Sequence, residues 1–185
     1  MAIKKTSKEK ILTEAIKLFK IRGYYNTSMA DIAQACGLIK GSIYHYFKSK
    51  DEIGLESLKY IHEYFQEHIY SIAYENNLSG IEKIKLFVKK IDDYFLNSEG
   101  GCLLGNLALE VSYENLIFKE EIKSYFLAWE NALARILESK YSKDEAISLS
   151  REYVALTQGA IMMMNLYNYP KEYLKVGEKI IKLLE

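Results

Sequence analysis

The stretch from Thr27 to Lys50, TSMADIAQACGLIKGSIYHYFKSK, gathers side chains suited to gripping a polyanion and reading base edges. Lys40 can donate to a guanine or to a phosphate. Tyr44, His45 and Tyr46 offer hydroxyl and imidazole groups with apolar surface for thymine methyls. Gly41 permits close backbone approach, and Lys50 would join its charge to the first amides of a following helix as a phosphate anchor. Taken singly, Tyr44 or Tyr46 is equally well explained as a packing residue and His45 as a surface histidine. The ordered set is what points to DNA.

Other reactive groups are sparse. Cys36 and Cys102 read as free thiols of a reducing compartment, since two cysteines do not make a disulfide framework. Cys36 falls on the apolar side of a short helix and reads as core. Of the three histidines, His62 and His68 stand six residues apart on one helix and miss a common face. There is no phosphate-cradling glycine loop and no His/Cys/Asp cluster at metal-ligand spacing, so neither catalysis, a metal nor a cofactor is expected. No stretch reaches the roughly 18 apolar residues of a membrane span, and Met1–Lys10 lacks a secretory apolar core. The expectation is a soluble, cytoplasmic protein with no membrane partner.

The elements that must carry these groups are helices. Ser7 to Arg22 repeats apolar residues at Ile11, Ala15, Leu18 and Phe19, and Gly23 stops it. Ser28 with Asp31 opens a short helix that Gly37 ends, Lys40 to Phe47 makes a second, and Ser49 with Glu52 opens a long one reaching about Tyr74. Further helices are predicted from Ser79 to about Phe95, Leu103 to Val111, Ile117 to Ser139, Lys143 to Asn168 and Pro170 to Leu184, with no strand alternation. The net charge of zero conceals a division: residues 1–50 carry ten Lys/Arg and three Asp/Glu, a net of +7, against −7 for the rest. A basic head of this kind suits nucleic acid, although a solvated lysine face would look the same.

The run Met29-Ala-Asp-Ile-Ala, continued by Lys40-Gly-Ser-Ile-Tyr-His-Tyr-Phe-Lys-Ser-Lys50, resembles the helix-turn-helix signature of the tetracycline-repressor (TetR) family over about residues 7 to 58. The resemblance implies an all-α fold of about nine helices. Residues 1–50 would be a three-helix helix-turn-helix DNA-binding domain and residues 51–185 a ligand-sensing and dimerisation domain. It implies a homodimer on a pseudo-palindromic double-stranded operator, acting as a repressor that an inducer releases. Lys40, Gly41, Tyr44 and His45 would then meet base edges, and Thr27, Ser28, Tyr46 and Lys50 phosphates. One departure stands out: Ile39 occupies the place where the family commonly has Ser or Thr, which removes a helix cap worth roughly 1 kcal/mol.

Gly100-Gly-Cys-Leu-Leu-Gly-Asn106 resembles a GC-x-x-GN run found in one branch of the same family, some of whose members respond to electrophiles or oxidants through cysteine. Cys102 is therefore a candidate sensor, with the amides of a helix start to lower its pKa; as a small buried hydrophobe it would equally fit. A reversible small-molecule pocket is the other route to induction, with Asn106, Tyr125, Phe126, Trp129 and Met163 as candidate lining. The last two helices carry apolar stripes for a dimer seam. One holds Leu149, Tyr153, Leu156, Ala160, Met163 and Tyr167, the other Tyr173, Val176, Ile180, Ile181 and Leu184. The pattern alone does not separate such a seam from the intrachain core.

Overall fold

The computed structural model describes residues 7–111 and 115–185; residues 1–6 of the expected N-terminal domain, and residues 112–114, lie outside them. Among the described residues the chain forms nine α-helices: α1 Lys8–Arg22, α2 Met29–Ala35, α3 Lys40–Ile43, α4 Lys50–His68, α5 Gly80–Leu96, α6 Leu103–Val111, α7 Leu116–Leu137, α8 Lys143–Tyr167 and α9 Lys171–Lys182. Serines set most of the starts. Ser7 accepts from the Lys10 amide at 3.2 Å, and reciprocal capping boxes open α2 (Ser28, Asp31), α5 (Ser79, Glu82) and α8 (Ser142, Glu145). At α4 the Glu52 amide donates to Ser49 Oγ, while the Glu52 carboxylate reaches one residue further back than the usual box, to the Lys48 amide.

Two expected helices end early. α3 stops at Ile43 and continues through Tyr46 as turns, because Ile39 supplies no capping oxygen and a helix this short has no margin. α4 ends at His68, and a tighter 3-10 turn follows at Tyr70–Tyr74. Ile69, Tyr70, Ile72 and Ala73 are all buried there.

The chain packs as two compact units. One runs to Ile61 and takes in Leu103–Ile122; the other comprises His62–Cys102 and Lys123–Glu185. The expected boundary at residues 50 and 51 falls at the start of α4, inside the first unit. There Ile11, Ala15 and Phe19 of α1 are buried, as are Ile32 and Ala33 of α2 and Ile43 of α3. α6 also packs on α1. The second unit is built on aromatic rings: Trp129 stacks on Phe95 at 6.2 Å between centroids, and Phe65 packs against Tyr94, Phe95, Tyr125 and Trp129.

The two stripes proposed for a dimer seam part company. On α9, Tyr173, Val176 and Ile180 are buried within the chain's own second unit, where α5 packs against α9, so they are core. On α8 the inward stripe is Ala146, Ser150, Val154, Thr157 and Ile161. Leu156, Met162, Met163, Leu166 and Tyr167 of the same helix are exposed.

Candidate nucleic-acid interface

The helix-turn-helix is a pedestal with a polar top. Ile43 and Phe47 are buried beneath, and Lys40, Gly41, Tyr44 and His45 are exposed above. Tyr44 is 49 % exposed although it is a large aromatic. A Cβ built on Gly41 meets nothing within 4 Å, so nothing in the folded chain requires a glycine there. Ser28 is exposed; its hydroxyl donates to Asp31 at 2.5 Å, its amide donates to the same carboxylate at 2.8 Å, and these bonds hold the Asp31 carboxyl below the usual range. Thr27, expected at a phosphate, is instead fully buried with its hydroxyl donating to the Gly23 carbonyl at 2.8 Å. Its proton is spent inside, and its work is to brace the turn between α1 and α2.

Lys50 and Tyr46 are half-buried. The Lys50 ammonium donates to the Tyr24 carbonyl at 3.0 Å and sits 4.3 Å from the centre of the Tyr24 ring, a cation–π contact. The Tyr24 hydroxyl donates to Asp51. Burial, with this bond, pushes the Tyr24 phenol far above its ordinary pKa. Cys36 is buried, and burial pushes its thiol up, the condition of an inert core cysteine.

In the second unit Cys102 follows two glycines in the left-handed region, Gly100 at φ 75° and Gly101 at φ 73°. A Cβ on Gly101 would stand 2.9 Å from the Asn165 side-chain nitrogen, so only glycine fits the turn. Cys102 is 5 % exposed. Burial pushes the Tyr70, Tyr94 and Tyr125 phenols upward, and a negative charge on the nearby Cys102 sulfur would add to that. The Tyr70 and Tyr125 hydroxyls are buried against one another, and among the described residues neither has another hydrogen-bond partner. Of the five expected lining residues, Tyr125 and Trp129 are buried in the aromatic cluster, Phe126 is half-buried, and Met163 is exposed on α8. Asn106 is exposed on α6, in the other unit.

Residues 11–56 match the profile of bacterial regulatory proteins of the tetR family, and residues 80–177 match the C-terminal domain of LmrA/YxaF-like transcriptional regulators. The chain is 32 % identical over 161 residues to the HTH-type transcriptional regulator YxaF of Bacillus subtilis, covering 85 % of this chain and 84 % of that one. This chain belongs to the TetR family. It is a DNA-binding transcriptional regulator with the family's architecture of an N-terminal helix-turn-helix and a C-terminal helical domain. The HTH-type transcriptional repressor DhaR of a Mycobacterium species is 26 % identical over 86 % of this chain and 82 % of its own. A crystal structure of a TetR transcriptional regulator from Legionella pneumophila superposes with a TM-score of 0.87 at 27 % identity, covering 98 % of each chain.

Within this TetR-family head, sequence reasoning passed over Glu110. Its carboxylate reaches from α6 to accept from the Tyr24 amide at 2.8 Å and the Tyr25 amide at 2.7 Å. Nothing local signals a contact between residues 86 positions apart. Among the described residues no group of three or more His, Cys, Asp or Glu could hold a metal ion, and no helix is long and apolar enough to cross a membrane.

Proposed function

We propose that this regulator is a homodimeric repressor that holds a palindromic operator and lets it go when a small molecule or an electrophile acts on its C-terminal domain. The observation carrying the reading is the exposed set Lys40, Gly41, Tyr44 and His45 on a buried base of Ile43 and Phe47, a surface the fold does not need for itself. These four meet base edges in the major groove, and Ser28, Tyr46 and Lys50 meet phosphates. Repression is supported by likeness to a relative named as a repressor. The dimer forms through the last two helices, with α8 giving most of the seam. Its exposed Leu156, Met162, Met163 and Leu166 would otherwise leave an apolar stripe in water, while its buried side is made partly of Ala, Ser and Thr.

For induction we favour the buried group of Cys102, Tyr70 and Tyr125, and the Gly100–Asn106 run is what supports membership of the GC-x-x-GN branch. The two phenol hydroxyls have little beyond one another to bond to, and a ligand with a polar group would supply a further partner. An electrophile would use the thiol instead: sulfur bonds to one carbon of an activated double bond and the thiol proton ends on the other. Either event works by altering the separation of the two recognition helices, which successive major grooves fix at about 34–36 Å. The test is selection from a random DNA pool with purified protein, a salt titration of the selected site, and the same titration after exposure to a maleimide, with Cys102→Ser alongside. A palindrome bound with steep salt dependence supports the operator reading, and no enriched site overturns it. Release in the wild type alone makes Cys102 the sensor, and release in both proteins removes it from that role.

A further inference from the structure

Two successive amides of the turn joining α1 to α2 donate to a distant part of the chain. The Gly23 amide donates to Phe19 O at 3.0 Å and the Thr27 amide to Tyr24 O at 3.2 Å, both local. Asn26 Nδ2 and Thr27 Oγ1 turn back to the Arg22 and Gly23 carbonyls. Tyr24 and Tyr25 instead give their amides, one each, to the two oxygens of Glu110 at 2.8 and 2.7 Å. A carboxylate bonded to two successive amides is a charge-assisted, bidentate grip that fixes orientation as well as distance. Gly23 makes room for it: its φ of +82° is open only to glycine, and a Cβ there would stand 3.1 Å from a Glu110 oxygen.

The gripped turn in turn holds groups that face DNA. Tyr24 supplies the carbonyl and ring that seat the Lys50 ammonium and the hydroxyl that reaches Asp51 at the start of α4. Two and three residues beyond Tyr25 stand Thr27, which braces the turn, and Ser28, which caps α2. We propose that Glu110 is a positioning residue for operator binding: its two-amide grip sets the turn that seats Lys50 and launches α2. Glu110 itself touches no nucleic acid. It acts through Tyr24 and Tyr25, and it lies two turns along the helix that begins immediately after Cys102.

The inference rests on the DNA-binding reading, and wild-type affinity for the selected operator is the control that carries that reading separately. Operator and random-sequence DNA are titrated with full-length wild type, Glu110→Gln, Glu110→Ala, Lys50→Met and the Glu110→Gln/Lys50→Met pair, and amide exchange is followed at Tyr24 and Tyr25. Glu110→Gln keeps the shape and one acceptor oxygen, so it serves if the alanine variant folds poorly. The expected result is a 10- to 100-fold loss of operator affinity for Glu110→Ala and a smaller loss for Glu110→Gln, estimated from one to two base contacts falling out of register. Random-sequence affinity should stay within about threefold, because no positive charge is removed. Tyr24 and Tyr25 amide exchange should accelerate, and the Lys50→Met effect should shrink in the double variant, since contacting residues are not additive. Operator affinity unchanged in Glu110→Gln while both amides exchange faster would overturn the proposal, as would an equal loss on operator and random DNA.

Discussion

Gly41→Ala separates what the fold needs from what the operator needs. Because an added Cβ at Gly41 meets nothing within 4 Å, the substitution creates no clash in the free protein. Alanine in a helix is favoured over glycine by about 0.5–1 kcal/mol, here at the second residue of α3. For a chain of this length that amounts to roughly 1–4 °C in Tm. The same methyl stands on the surface expected to lie against base edges. Pushing the recognition segment outward loses one or two base contacts per half-site at about 1–3 kcal/mol each, so operator affinity should fall at least 10- to 100-fold. Charge is unaltered, so the dependence on salt should keep its slope. Thermal unfolding by circular dichroism and operator titration by fluorescence anisotropy at several salt concentrations measure both effects on one preparation. A variant with raised Tm and wild-type operator affinity would refute the placement of Gly41 at the DNA. A lowered Tm would refute the claim that its surroundings are open.

Lys40→Met should relax the preferred base at one position of each half-site, seen on repeating the selection, and weaken the parent site by about 1–3 kcal/mol. Leu156→Glu with Met163→Glu changes side chains that are 40 % and 41 % exposed, so the helical spectrum should survive. Sedimentation should report a monomer, and a dimer of unchanged affinity would take the seam away from α8. Burial pushes the Asp92 carboxyl up to about 6, against the smaller downward pull of the neighbouring Tyr173 hydroxyl. A carboxyl whose folded pKa is raised contributes stability when protonated and loses it as pH climbs through its unfolded value towards about 6. Asp92→Asn should therefore stabilise the protein at pH 7, by about 1 kcal/mol once solvent screening of this half-exposed group is allowed for. It should also flatten the stability profile between pH 4 and 6; an unchanged profile there would exclude Asp92 as the titrating group.

The number and order of helices were legible because their signals are local. Gly23 stops α1, and serines followed three residues on by an acid mark the starts of α2, α4, α5 and α8. The exposed surface of α3 was legible for the same reason: Ile43 and Phe47 are the apolar positions in a polar run, and burying them turns Lys40, Gly41, Tyr44 and His45 outward. Where periodicity misled, two faces competed for one pattern. α8 carries apolar residues on two sides, and the sequence gives no indication that the side holding Ser150 and Thr157 is the buried one. Both hydroxyls can point inward because each donates to a carbonyl of its own helix, Ile147 and Tyr153. On α9 the stripe of Tyr173, Val176 and Ile180 is the same whether its partner is α5 or a second copy.

Thr27 was assigned outward and Glu110 was passed over for a reason common to both. A hydroxyl beside a helix start resembles a phosphate ligand until the turn closes and the Gly23 carbonyl takes its proton. Glu110 performs the chemistry of the capping boxes, a carboxylate accepting from backbone amides, and its bonds of 2.8 and 2.7 Å match the 2.8 Å that Glu82 accepts from Ser79. Glu82 lies three residues from its partner and can be read by counting, whereas Glu110 lies 86 residues from Tyr24. The difference is also one of consequence. A capping box stabilises the helix it belongs to and is indifferent to the rest of the chain. A carboxylate that caps a turn from another helix makes the geometry of that turn depend on where the other helix sits, so a bond of the same strength becomes a joint between them.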